Sequence, residues 1–364
     1  MSRRTAVRAV TYREGMSRVR RARRIAAAAA FGGGGLTVAG ALGWALVRVE
    51  AALAQRAIGT SLGRTPPVAA ARYGAGADEE VDLVVLGDST AAGLGAASPE
   101  QTPGAIVAGG LAAISGRPVR LVGAAVVGAR SEALGAQVDA ALEQVAHPHV
   151  ALVLVGANDV THWVRPAEAV RHLAGAVTRL RDAGAEVVVG TCPDLGTVEP
   201  IAEPLRTLAR RASRELAAAQ TIAVVEAGGR TVSLGDLLGP AFAARPREMF
   251  AVDRFHPSPA GYARVGAAVL PSVCAALGIG LGTPAAAGPA DPVPGAPAPV
   301  QPVAQAAVQA ADAPGTEVVA VQVAGADRGP AGRWSRALWR RRAVLPAGDP
   351  GAVRTRTASG APSS

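Results

Sequence analysis

The sequence predicts an α/β fold, with a mainly parallel five-stranded sheet carrying helices on both faces. Three observations lead there. Short Val/Leu-rich runs alternate with longer amphipathic stretches between about Ala77 and Gly282. The runs are almost continuously apolar, as strands buried on both faces are. The stretches between them carry helix start and stop residues, and strand followed by helix, repeated, is the pattern of a parallel sheet.

In order, the expected strands are VDLVVLG (81–87), VRLVGAAVV (119–127), HVALVLVG (149–156), AEVVVGT (185–191) and TIAVVEA (221–227). SEALGAQVDAALEQVA opens on Ser131, a residue type that caps helices. PAEAVRHLAGAVTRLRDAG begins at Pro166 and stops at Gly184, the usual asymmetry of helix ends. PLRTLARRASRELAAAQ follows Glu203, and a last helix is expected from about Ser258 to Leu277.

The 364 residues are 49% apolar but only 3% aromatic, so the core has to be built from Val, Leu, Ile and Ala. All 37 basic residues are Arg, which reads as a bias of nucleotide composition. The net charge of +9 is unevenly spread. Residues 1–24 hold nine Arg and one Glu, residues 283–364 eight Arg and five acids, and residues 25–282 twenty Arg and twenty-two acids. The central region is close to neutral, so the basic balance gives no reason to expect nucleic acid as a partner. Cys192 and Cys274 have no Cys or His at ligand spacing, so no metal site is expected, and two free buried thiols are favoured over a disulfide.

The chain divides into a basic N-terminus (1–24), an apolar segment (25–47), a linker (48–76), a folded domain (77–282) and a Pro/Ala-rich tail (283–364). The apolar segment has 23 residues without a charge, and as a helix it would reach across a bilayer. Arg18, Arg20, Arg21, Arg23 and Arg24 precede it, which orients the N-terminus to the cytoplasm and the domain outside. Trp44 would then sit at the outer interface, and Gly35, Ala39 and Gly43 recur at a helix-packing interval. An uncleaved single-pass anchor in the cell membrane is preferred to secretion after cleavage at Ala52-Leu53-Ala54, because the apolar run exceeds a signal peptide's. The tail is expected to be disordered. Within it, 332–344 places Trp334 and Trp339 among five arginines, either a solvated basic tail or an interfacial helix.

In open parallel sheets, ligands bind beyond the carboxyl ends of the strands. The first strand ends in Gly87-Asp88-Ser89, the second leads to Gly128, the third ends in Gly156-Ala157-Asn158-Asp159 and the fourth in TCPDLG. VDRFHPSPAGY precedes the last helix. A serine nucleophile needs a base, and the base needs an orienting partner. Ser89, His256 and Asp253 can take these roles. The backbone N–H groups of Ser89 and Gly128 and the Asn158 amide can donate to an oxyanion.

With GDS at Ser89, Gly128, GAND at Asn158 and DRFH at Asp253 and His256, in this order, the sequence resembles the SGNH/GDSL hydrolase family. The resemblance covers about residues 81–278. It implies a three-layer α/β/α fold of flavodoxin-like type, with ester hydrolysis through an acyl-serine at an open, shallow site and no metal or organic cofactor. Thr90 stands where the family often has Leu. VGAAVVGAR lacks the Asn that often precedes the family's glycine, so Gly123 competes with Gly128.

Each motif also has a plainer reading: a helix cap for Asp88 and Ser89, an Asx-turn for Asn158 and Asp159, a surface histidine for His256. Their joint occurrence favours the catalytic reading. Asp88 is read as structural, as are His147, His149, His162 and His172. Asp194 and Glu199 either line the pocket or face water. No GxxxxGK[ST] loop, no GxGxxG after a strand and no GxSxG elbow is present. The expected function is a membrane-anchored serine esterase acting on carboxylic esters, short-acyl or lipid-like. An acyltransferase using the same serine and a non-catalytic envelope binding module are the alternatives. Oligomeric state is not predicted.

Overall fold

The computed structural model describes residues 45–54, 56–59 and 61–280, and the two-residue strands at 317–318, 322–323 and 326–327. Segment 1–24, residues 25–44 of the expected span and most of the tail, including 332–344, lie outside the described residues. Among the described residues no helix is long and apolar enough to cross a membrane.

The sheet is built on β2 (Val81–Gly87), β3 (Val119–Gly123), β4 (Val150–Leu154), β5 (Glu186–Gly190) and β6 (Arg230–Val232). These five strands are parallel, in the order β3-β2-β4-β5-β6. Two short strands extend the five-stranded sheet expected from sequence to seven. β1 (Arg72–Tyr73) adds antiparallel to β3, and β7 (Glu317–Val318) adds parallel to β6. The tail expected to be disordered therefore contributes a sheet strand, together with the small antiparallel pair β8 (Gln322–Val323) and β9 (Ala326–Asp327).

Alternate residues of β2 face opposite layers. Leu83 and Val85 join the cluster that contains Leu111 of α3 (Pro103–Ser115), Leu237 of α8 (Leu234–Ala244) and Tyr262 of α10 (Pro259–Ala276). Val84 and Leu86 join Val138 of α4 (Leu134–Gln144), Leu173 of α6 (Pro166–Asp182) and Val224 of α7 (Leu205–Glu226). A strand with both faces covered has no polar positions to spare, which is why these runs lack alternation. Ser258 caps α10 as expected, its hydroxyl accepting from Gly261 N.

Three expectations are corrected. TIAVVEA (221–227) is not a strand but the end of α7. There Gln220 and Val224 continue the buried stripe of Leu216 and Ser213, while Ile222 and Val225 are exposed. Helical burial spacing overrides the β-branched composition. The fifth parallel strand is Arg230–Val232, just after Gly228-Gly229. The second strand stops at Gly123 rather than 127. Beyond it the amides of Ala124 and Val126 still donate, in the same register, to the carbonyls of Val85 and Gly87. Ser131 opens a 3-10 turn without capping it, and its hydroxyl is engaged elsewhere. Helix α3 was not anticipated.

The ladder aligns Gly87, Leu154, Gly190 and Val232 in one row across the sheet. The chain turns to opposite sides of β2 on leaving β2 and on reaching β4, so the crevice opens at their ends. Gly87 sits at φ +134, and a Cβ there would lie 1.9 Å from Leu154 O. Gly87→Ala is expected to destabilise the protein by about 4 kcal/mol or more, read as a shifted urea midpoint at unchanged m-value.

Candidate active site

Beyond the row of strand ends the chain makes a tight turn. Asp88 N donates to Leu154 O at 3.0 Å, and Asp88 Oδ1 accepts from Thr90 N at 2.9 Å, capping the short helix α2 (Ser89–Ala92). Ser89 is thereby held at the first position of that helix, nearly buried. On the other side, Tyr262 of α10 donates its hydroxyl to Leu94 O at 2.7 Å. This ties the turn to the helix that follows the histidine.

His256 Nε2 lies 2.9 Å from Ser89 Oγ, and His256 Nδ1 lies 2.5 Å from Asp253 Oδ2. Asp253 Oδ1 accepts from the amides of Phe255 and His256, both at 3.0 Å. The carboxylate thus organises the turn that carries its own partner, and Arg254 takes φ +57 within it. The Phe255 ring meets His256 edge-on at 5.0 Å. Burial pushes the Asp253 carboxyl up, but the hydrogen bonds from His256 and Phe255 outweigh it, leaving it below the ordinary carboxylate range. Asp253 is therefore positioned to face an imidazolium.

Gly123 pairs with Val85 as the last residue of β3 and stays within the sheet. Gly128 lies in the following turn at φ +83, a left-handed conformation suited to glycine. Two side chains from the Gly156-Ala157-Asn158-Asp159 block fasten this turn. Asn158 Nδ2 donates to Ala129 O at 3.0 Å, and Asp159 Oδ2 accepts from Ser131 Oγ at 2.8 Å. Asp159 Oδ1 also accepts from Ser131 N at 3.0 Å. Burial raises the Asp159 carboxyl, against the pull of the Ser131 bonds. Among the described residues the amides of Ser89 and Gly128 donate to no backbone carbonyl, and Asn158 Nδ2 keeps a second hydrogen.

A pocket opens beside Ser89 and His256 and runs under the strand ends, with roughly 770 Å³ of empty space including its mouth. Leu154, Leu234, Leu238, Phe242, Phe250 and Phe255 form its walls, with Thr191 at the end of β5. Asp194 lines it and is ion-paired with Arg214 at 3.2 Å, whereas Glu199 is exposed and outside it. Cys192 and Cys274 are both free and buried. His149 accepts from Asp82 N, and His147 contacts Ala183 O, both away from the site. Among the described residues no cluster of His, Cys, Asp or Glu could hold a metal ion.

Two residues that hold the site had passed unnoticed in the sequence. Gln137 Oε1 accepts from Gly87 N at 2.7 Å, while its Nε2 donates to Gly87 O at 2.9 Å. Gln220 does the same between neighbouring strand ends, accepting from Cys192 N and donating to Val155 O. Each sits within the apolar stripe of its helix. A polar residue in a buried stripe was the available signal.

A parallel sheet whose strand ends gather a Ser–His–Asp relay and a glycine–asparagine pair defines a domain of the SGNH type. Residues 85–264 match the GDSL-like Lipase/Acylhydrolase family. The chain is 48% identical over 184 residues to a GDSL-like esterase of Mycobacterium tuberculosis, a match covering 50% of this chain and 59% of that protein. The chain thus spans about three fifths of that relative's length. Among solved structures it is similar to TesA, with 23% identity, coverage of 52% of this chain and 96% of that one, and a TM-score of 0.44. A variant of an acetyl xylan esterase from Geobacillus stearothermophilus is also similar, with 19% identity, coverage of 58% and 98%, and a TM-score of 0.45.

Asp88 is 2% exposed, and burial raises its carboxyl from 3.8 to about 6 against the opposing pull of Thr90 N and His256. Its protonated form therefore stabilises the fold, fully below pH 3.8, and that stabilisation is lost as pH rises through about 6. Asp88→Asn is expected to gain about 3 kcal/mol relative to wild type between pH 4 and 7, measured by urea unfolding across that range.

Proposed function

We propose that the chain is a serine ester hydrolase acting on carboxylic esters with an apolar acyl group. The observation that carries this reading is the continuous relay from Asp253 through His256 to Ser89 Oγ, at the mouth of an apolar pocket. His256 Nε2 takes the hydroxyl proton as Oγ attacks the ester carbonyl. Asp253 holds Nδ1 and stabilises the imidazolium that forms. The negative oxygen of the tetrahedral intermediate is met by Ser89 N, Gly128 N and Asn158 Nδ2, donors fixed before the reaction begins. His256 then gives its proton to the departing alcohol, leaving acyl-Ser89. A water, deprotonated by the same nitrogen, releases the acid and restores the serine.

The acyl group enters the pocket between α8 and the strand ends, since its walls are apolar and its only ionisable residues are Asp88, Asp194 and His256. The similarity to the mycobacterial GDSL-like esterase supports the same chemistry. The uncharged run 25–47, with its preceding arginines, supports an anchor that keeps the domain on the outer face of the cell membrane. Proteolysis of the domain in inverted vesicles but not in intact spheroplasts would contradict that topology.

Ser89→Ala in the purified full-length chain is expected to lower p-nitrophenyl butyrate hydrolysis by about 10⁴-fold or more, with an unchanged circular dichroism spectrum. Equal activity would remove Ser89 from the mechanism. Along a series of p-nitrophenyl esters, kcat/KM is expected to rise about fourfold per methylene until the pocket is full. A Cβ at Gly239 in the pocket wall would have Asp194 Cβ, 3.8 Å away, as its neighbour. Gly239→Leu should therefore shift the optimum to shorter acyl chains while sparing the acetyl ester.

A further inference from the structure

The helix α1 (45–54, continuing at 56–58) precedes the family-matched segment and lies against the site's edge of the domain. Its inner face is settled. Val47, Ala51 and Ala54 pack into the cluster that holds Val198, Ile201 and Leu205. Glu50 Oε2 accepts from Leu205 N at 3.0 Å, at the start of α7. Further on, Arg64 Nη2 comes within 3.6 Å of the Cβ position of Gly128. The stretch 45–64 therefore skirts the site from the loop after β5 to the Gly128 turn.

The outer face of α1 is apolar and uncovered. Leu46, Val49 and Leu53, spaced i, i+3 and i+7 on one stripe, are 49–55% exposed. Three more bare apolar side chains stand close in sequence to the site residues. Val126 lies two residues before Gly128, Trp163 five after Asn158, and Val252 one before Asp253, with exposures of 53%, 60% and 77%. Single exposed apolar residues need no explanation, but several on the turns that carry the site residues, together with an apolar helix stripe, do. Arg64 stands beside Gly128 and Arg254 follows Asp253, and among the described residues their guanidinium groups make no ion pair.

The chain that enters α1 indicates the occupant. Residues 25–44 carry no charge and run directly into the exposed stripe. Apolar side chains interleaved with arginines match the interface of a bilayer bearing anionic headgroups. His256, which lines the pocket, shares its turn with the exposed Val252 and Arg254. We propose that the face around the site docks on an anionic lipid bilayer, so that membrane-resident esters are the substrates. The choice of substrate rests on the esterase reading above; the docking itself does not.

The test uses the full chain reconstituted into vesicles of phosphatidylcholine, alone or mixed two to one with phosphatidylglycerol. Two substrates are compared: soluble p-nitrophenyl butyrate, and 4-methylumbelliferyl oleate dissolved in the bilayer. The variants are Leu46→Gln/Val49→Gln/Leu53→Gln and Trp163→Asn/Val252→Ser, none of which lines the pocket. Docking predicts that hydrolysis of the bilayer ester falls about tenfold or more, while the soluble ester stays within about twofold. Wild type should also act faster on the bilayer ester when phosphatidylglycerol is present. Loss on both substrates in parallel, or on neither, overturns the proposal.

A second readout is independent of catalysis. With Trp44, Trp334 and Trp339 changed to Phe, the fluorescence of Trp163 should be quenched by brominated lipid, and absence of quenching overturns docking. Quenching without activity on either ester would uphold docking and reject the esterase reading. Efficient disulfide formation by Val49→Cys at high dilution in lipid would assign the stripe to a second copy of the chain and overturn the proposal.

Discussion

At the end of β2 the Gly87 peptide lies so close to Leu154 that no side chain fits between them. Its N–H is taken by the side-chain amide of Gln137, which also shares the Gly87 C=O with Val126 N. In this dry position an unpaired peptide group would cost about 1–3 kcal/mol, so the glutamine satisfies the strand end as well as marking it. The next amide, of Asp88, crosses to Leu154 O, and the Asp88 carboxylate then caps α2. The direction in which Ser89 leaves the sheet follows from these bonds. Every other part of the site is arranged around that direction.

The partners of Ser89 come from three separate turns, each held by polar groups that do not themselves react. Asp253 holds the turn that presents His256, and the hydroxyl of Tyr262 binds the following helix back to the serine turn. Asn158 and Asp159 clamp the segment after β3 through Ala129 and Ser131. Preorganisation of this kind lets donors meet developing charge without moving at the moment of reaction. It also places buried carboxylates near Ser89, and burial above all raises the Asp88 carboxyl. The fold tolerates the cost because the surrounding layers are aliphatic and closely packed on both sides of β2 and β4.

Most of the site was legible in the chain because its residues follow strand ends directly. Gly87-Asp88-Ser89 and Gly156-Ala157-Asn158-Asp159 each terminate an apolar run, and Asp253 and His256 share one turn before a helix. The glutamine clamps were not legible, since Gln137 lies 50 residues from Gly87 and Gln220 lies 28 and 65 residues from Cys192 and Val155. The wall of the pocket was also hidden. α8 and Phe250 reach it only because α10 folds back across the same face of the sheet, and an expected shallow site becomes a cleft that extends under the strands.

By itself the sequence determined the α/β alternation, the Ser, His, Asp and Asn gathered at the site, and the ends of α6 and α10. Each of these is written in short-range patterns of apolarity, capping and turn chemistry. Only the tertiary structure decided that TIAVVEA is helix rather than strand, because its β-branched residues suit either state and the packing of Val224 settles the period. Only it placed Gly128 in a turn and Gly123 in the ladder, since register is a relation between strands. The exposed apolar residues on the site's turns have the same origin. Val126, Trp163 and Val252 are isolated residues along the chain and become neighbours of one site only when the strand ends are brought side by side.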